Sequence, residues 1–129
     1  MESTILVVED DPHLRGVITE VLSDEGYAVY EACDGLGALE RIGTVAPDLV
    51  VSDVRMPRLD GLELAERLGR MDDPIPVLLM SAGINAPRDI GASFLAKPFM
   101  LDDLVTLVER ILSTRGGRGA VRRPLAFAF

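Results

Sequence analysis

A single cysteine, Cys33, leaves the chain unable to form an internal disulfide or a thiolate cage for a metal. That usage fits a reducing cytosol, and the alternating apolar run around Cys33 predicts a small core-facing side chain rather than a reactive thiol. Nor does any apolar run approach the length of a membrane span. The opening MESTILVVED carries acids where a signal peptide would carry a basic region, so a cytoplasmic location without a membrane partner is expected. Basic residues are scarce in the body of the chain. Residues 1–112 hold nine Lys and Arg against 21 Asp and Glu, a formal charge of −12, while Arg115, Arg118, Arg122 and Arg123 give the remainder +4. An acidic body is a poor surface for nucleic acid, and direct DNA binding is not expected. His13 is the lone histidine; in the first turn of a predicted helix it reads as exposed rather than as a ligand or phosphoacceptor.

The 129 residues present suffice for one domain with a proper core. Thr4 to Val8 is apolar and β-branched, which predicts a strand buried on both faces. Asp11 and Pro12 then read as the N-cap and first position of a helix carrying Leu14, Val17, Ile18, Val21 and Leu22 inward, stopped at Gly26. A strand over Tyr27 to Cys33, a helix over about Leu36 to Val45 and a strand over Leu49 to Ser52 follow. The third strand ends on Asp53. A helix over about Gly61 to Met71 precedes strands over Val77 to Met80 and Ser93 to Ala96. The last helix, Leu101 to Ser113, should turn Leu101, Leu104, Val105, Val108, Ile111 and Leu112 inward. The methionines at 56, 71, 80 and 100 read as core or loop packing. Strands alternating with helices at this pace predict βαβ units and a parallel sheet.

In such sheets ligands bind outside the carboxyl ends of the strands. Glu9 and Asp10 after the first strand, Asp53 at the third, Ser81 after the fourth and Lys97 after the fifth are thereby brought within reach of one another. Three carboxylates at about 4 Å would repel by something like 4 kcal/mol per pair at an effective dielectric near 20. Lys97 supplies one positive charge and a divalent metal two, which balances the three acids. Oxygen-only ligands point to Mg²⁺ rather than zinc. With that charge neutralised, Asp53 can act as a nucleophile towards a phosphoryl group, forming an aspartyl phosphate, and the Ser81 hydroxyl can hydrogen-bond a phosphoryl oxygen.

In these respects the sequence resembles the receiver domains of the bacterial two-component response regulators. The resemblance rests on ILVVEDD, SDVRMPRLDG, VLLMSA and FLAKPF, in the family's order, over about Thr4 to Ser113. It implies a flavodoxin-like (βα)₅ fold with strand order 2-1-3-4-5; the doubly wound rule is itself illustrated by a member of this family. It further implies Mg²⁺ bound by Asp10, Asp53 and the main-chain carbonyl of Arg55, with Glu9 acting through water. The donor would be a histidine kinase or histidine phosphotransfer protein, and the downstream protein target is not specified. The Lys97–Pro98 bond is cis in many members. A switch through Ser81 and Phe94 is implied, and Arg55 and Gly83 would flank the hydrolytic water of a slow autodephosphorylation. The domain is thus expected to be a regulatory phosphoacceptor over residues 1–113 rather than an enzyme with its own substrate.

One departure concerns Ala82 to Ala92, only 11 residues where the family places its fourth helix. A shortened or missing helix is expected there; it forms part of the face most often used for dimerisation, so a monomer or weak dimer is expected. Residues 114–129, rich in Gly and Arg, read as a flexible tail, too short for an effector domain; the chain is a stand-alone receiver or one cut from a longer protein. A phosphatase of the haloacid dehalogenase type needs a second acid where Arg55 stands, and a flavin binder would not place EDDPH in its phosphate loop. The alternative that survives is a protein-interaction module that keeps the fold without phosphorylation.

Overall fold

The apolar runs form strands because their β-branched and aliphatic side chains have a core on both sides to enter. The structure, a computed structural model, describes residues 2–82 and 92–114. The expectations for the crossover between Ser81 and Phe94, for Gly83 and for the tail beyond Thr114 lie outside the described residues. Five strands, β1 (Thr4–Val8), β2 (Ala28–Ala32), β3 (Leu49–Asp53), β4 (Val77–Ala82) and β5 (Ser93–Lys97), form one parallel sheet in the order β2-β1-β3-β4-β5. This is the flavodoxin-like receiver arrangement anticipated from the sequence.

Period-two alternation divides the strand side chains between two cores. Leu6, Val8, Val50 and Leu79 enter one, beneath α2 (Gly35–Val45) and α3 (Gly61–Gly69). Ile5, Val7, Leu49, Val51, Leu78 and Met80 enter the other, beneath α1 (Pro12–Asp24) and α4 (Leu101–Thr114). Ile18 and Leu22 of α1, Leu64 and Leu68 of α3, and Leu104, Val108 and Leu112 of α4 supply the helical sides. Each such burial stabilises the fold by roughly 1.5–3 kcal/mol.

Three helices start on an aspartate. The side chains of Asp11, Asp34 and Asp60 accept from the backbone N–H groups of His13, Gly37 and Glu63 at 3.0, 2.8 and 2.9 Å. A cap of this kind contributes about 1 kcal/mol. Gly26, at φ 98°, ends the turn after α1 in a conformation that favours glycine.

Two packing expectations need correction. Cys33 is exposed, because β2 stops at Ala32 and the alternation that would have buried the next inward residue stops with it. Leu101 is 38% exposed, and Asp102 and Asp103 beside it are exposed too, in the first turn of α4, whose inward stripe begins at Leu104. Of the methionines, Met56 and Met80 are buried whereas Met71 and Met100 are exposed. His13 is exposed, as its place in the first turn of α1 predicts.

Candidate functional site

The ends of β1, β3, β4 and β5 carry the polar residues singled out in the sequence. Asp53 closes β3 and is held by its own neighbourhood: its Oδ1 accepts from the Val54 N–H at 2.9 Å, and its carbonyl oxygen accepts from the Ser52 hydroxyl at 2.8 Å. Gly61, the first residue of α3, packs directly on that carbonyl, so that a Cβ at position 61 would collide with it. The Gly61 N–H also donates to the Val54 carbonyl at 2.8 Å. Close backbone contacts, with the Ser52 hydroxyl, therefore fix the Asp53 main chain from which the carboxylate projects.

Lys97 ends β5 and reaches back over β4. Its Nζ donates to Asp53 Oδ2 at 3.2 Å and stands 3.7 Å from Glu9 Oε1. Carboxylate oxygens of Glu9, Asp10 and Asp53 lie within 4.8 Å of one another. The sequence thus named four groups that the fold does bring together. Ser81 is buried at the end of β4, one residue past Met80, which is paired with Asp53. Phe94 pairs with Leu79, and Ala96 pairs with Ser81, which puts Phe94 and Ser81 diagonally on the same face of neighbouring strands. The Lys97–Pro98 peptide is cis. Arg55 lies in the loop after β3 and, with Asp10, Met56, Pro57 and Asp60, lines an open cleft of about 590 Å³ beside the acids.

Glu9 is the anomalous member. It is 1% exposed, and its Oε2 accepts from the Asp11 N–H at 3.1 Å. Its Oε1 is buried without a hydrogen-bond partner, the Lys97 ammonium being too distant to donate. Burial pushes the Glu9 carboxyl up to about 7; the Asp11 N–H and Lys97 oppose that rise, and the Asp53 charge adds to it. A bare buried carboxylate oxygen, set among two further acids with one lysine, is the condition a bound cation would relieve. The donors are all oxygens, so the residues present fit Mg²⁺ and not a thiolate- or imidazole-seeking metal.

Two arginines at the site were not foreseen. Arg15 of α1 donates from Nη1 to the Glu9 carbonyl at 2.7 Å and pairs with Glu31 of β2 at 3.5 Å, so it steadies the acidic turn from behind. Arg58 pairs with Asp34 at 2.7 Å, joining the loop after Asp53 to the start of α2. Asp34, the cap of α2, was not singled out in the sequence either, and neither pairing has a sequence signal.

The same fold occurs in known proteins. Residues 5–109 match the response regulator receiver domain family. The response regulator MprA of Mycobacterium ulcerans is 42% identical over 118 residues, covering 87% of this chain and 51% of that protein. The nitrogen assimilation regulatory protein NtrX of Azorhizobium caulinodans is 37% identical over 95% of this chain and 29% of its own length. The chain thus spans about half, or less, of the length of these relatives. Among solved structures, the signal receiver domain of a signal transduction histidine kinase from Syntrophus aciditrophicus superposes with a TM-score of 0.82 at 31% identity, covering 94% of this chain and 98% of that one. The receiver domain of NtrX from Brucella abortus gives 0.79 at 36% identity, covering 85% and 98%. A sheet of this order, carrying Asp53 between an acidic pair and Lys97, and matched over nearly all its described length, places the chain in the response regulator receiver domain family.

Proposed function

We propose that the chain is a phosphorylation-controlled signalling switch that accepts a phosphoryl group on Asp53 from a histidine kinase or histidine phosphotransfer protein. The observation that carries this reading is the Lys97 ammonium 3.2 Å from Asp53 Oδ2, with Glu9 and Asp10 oxygens inside the same 4.8 Å group. An Asp53 carboxylate oxygen attacks the phosphorus of a phosphohistidine. The new O–P bond forms as the P–N bond breaks, and the electron pair departs with the imidazole nitrogen. Asp10, Asp53 and the Arg55 carbonyl would hold Mg²⁺, with Glu9 acting through a water. When bound, the ion supplies positive charge that offsets the phosphoryl oxygens and the crowded carboxylates. Lys97 stabilises the same negative charge from the opposite strand, in a fixed position that needs no reorganisation.

The Ser81 hydroxyl is the group that reports on the new phosphoryl oxygens, by turning to donate to one of them. Phe94, diagonal to it on β5 and packed against the α2–α3 core, follows into the space released. Lacking a hydroxyl, Phe94 makes this move on packing alone. Arg55 flanks the path of the water that slowly returns Asp53 to the free acid. Among the described residues no helix is long and apolar enough to cross a membrane.

The test is intact mass after incubation with acetyl phosphate, with and without Mg²⁺, for the wild type and Asp53→Asn. A metal-dependent gain of one phosphoryl group, absent in the variant, is the expected result. No gain under any condition would refute the phosphoacceptor reading and leave a receiver fold that serves as a phosphorylation-independent interaction module.

A further inference from the structure

The loop after Asp53 is anchored from a side that the phosphoryl chemistry does not use. Arg58 sits at φ 71°, a left-handed conformation that residues with side chains adopt at a cost. Its guanidinium reaches α2, where Nε and Nη2 donate to one oxygen, Oδ2, of Asp34 at 3.0 and 2.7 Å. Asp34 is 7% exposed, and its other oxygen, Oδ1, is the cap of α2. The next residue, Gly35, lies against the Leu59 carbonyl so closely that a Cβ would collide with it. Two consecutive residues at the start of α2 thus grip two consecutive residues of the loop. Arg55 is three positions before Arg58. Between them stand only Met56, which is buried, and Pro57, whose ring fixes its φ. That short, stiff link carries any displacement of Arg58 to the Arg55 backbone.

We propose that Asp34 and Arg58 are positioning residues for the metal site: their ion pair holds the loop so that the Arg55 carbonyl faces the acids. Mg²⁺ affinity then depends on two side chains that touch neither the ion nor the phosphoryl group. The inference rests on reading Asp10, Asp53 and the Arg55 carbonyl as the Mg²⁺ ligands. Burial of the acid end distinguishes this pair from Arg67–Glu63 and Arg70–Glu66, whose members are all exposed and which hold only successive turns of one helix. The Gly37 N–H and then the Arg58 guanidinium hold the Asp34 carboxyl below the usual aspartate range, which favours its charged form.

The experiment is calorimetric titration of the whole chain with MgCl₂ and no phosphodonor, with melting temperatures measured in parallel. Arg58→Gly tolerates the left-handed backbone, and Asp34→Asn retains an oxygen to cap α2, so each removes the ion pair while respecting local geometry. Each should weaken Mg²⁺ binding by about tenfold, as expected for partners that orient a metal ligand. The double variant should be no weaker than either single one, because one interaction is lost in all three. Arg58→Lys, which keeps the charge without the guanidinium fork, should fall between. If the variants melt lower yet bind Mg²⁺ within about twofold of the wild type, the pair is structural only and the inference is overturned. Multiplying losses in the double variant would overturn it as well. If Asp34→Asn loses the fold, the two Arg58 variants decide the matter. A wild type that binds no Mg²⁺ refutes the metal site itself, a result distinct from either.

Discussion

Replacing Glu9 by glutamine should make the metal-free protein more stable, although Glu9 is a central member of the site. The carboxyl is almost fully buried and one of its oxygens has no hydrogen-bond partner. Burial raises its pKa to about 7, above the value it has in an unfolded chain. Below about pH 4.5 both states hold the proton and the group is neutral to stability. As pH rises from there to about 7, the unfolded chain releases the proton and the folded one keeps it, so stability falls. Above about 7 the full cost is present. At roughly 1.4 kcal/mol per pH unit, the gap between about 4.5 and about 7 corresponds to about 3 kcal/mol. Glu9→Gln keeps the shape, and an oxygen for the Asp11 N–H, while removing the charge. Urea unfolding followed by circular dichroism, in EDTA, should show the variant ahead by about 2–3 kcal/mol near pH 8 and level with the wild type near pH 4.5. The same gain corresponds to roughly 10 °C in Tm. Saturating Mg²⁺ should narrow the difference, since an ion that binds only the folded wild type restores its stability by mass action. A variant no more stable than the wild type near pH 8 in EDTA would refute the view that the bare carboxylate is a cost.

Gly61→Ala should lower stability by about 2 kcal/mol or more, because the new methyl must displace the Asp53 carbonyl or lift α3 off β3; thermal melting checks this, and an unchanged Tm would contradict the close contact. Lys97→Met should slow Mg²⁺-dependent phosphorylation by acetyl phosphate roughly a hundredfold, read by intact mass over time, while far-UV circular dichroism stays native. Asp34 has its carboxyl held low by the Gly37 N–H and the Arg58 guanidinium, so its contribution to stability is present above the ordinary aspartate range and lost as pH falls below it. Acid titration of wild type and Asp34→Asn should therefore show a shallower acid limb in the variant, and parallel limbs would count against the assignment.

The fold was legible because each strand is an apolar run ended by a polar residue, and because parallel strands put those ends on one edge of the sheet. Glu9, Asp10, Asp53 and Lys97 could therefore be assembled from their places in the chain. Alternation does not say where a strand stops, and Cys33, one residue beyond β2, was misplaced for that reason. Helical periodicity likewise does not say at which turn burial begins, and Leu101, in a first turn shared with two acids, is exposed. Arg15 and Arg58 escaped notice for another reason. Their partners lie 6 and 24 residues away, and a long side chain can reach many such partners from one sequence. The orphaned Glu9 oxygen is a property of burial and neighbours together, which no residue type announces.

The three aspartate caps have a consequence for selectivity. A helix start of this kind is ordinarily a ready receptor for phosphate, since its free N–H groups and dipole favour an anion. Here Asp11, Asp34 and Asp60 already occupy that role after β1, β2 and β3, each with its own charge. Inorganic phosphate and nucleotides, abundant in any cell, find those receptors taken, and millimolar phosphate should leave the melting temperature unchanged. Beside these filled receptors stands Lys97, at the strand ends with Asp53 and the acids. The proposed switch on Asp53 would thereby be insulated from free phosphate and answer only to a phosphoryl group that is covalently attached.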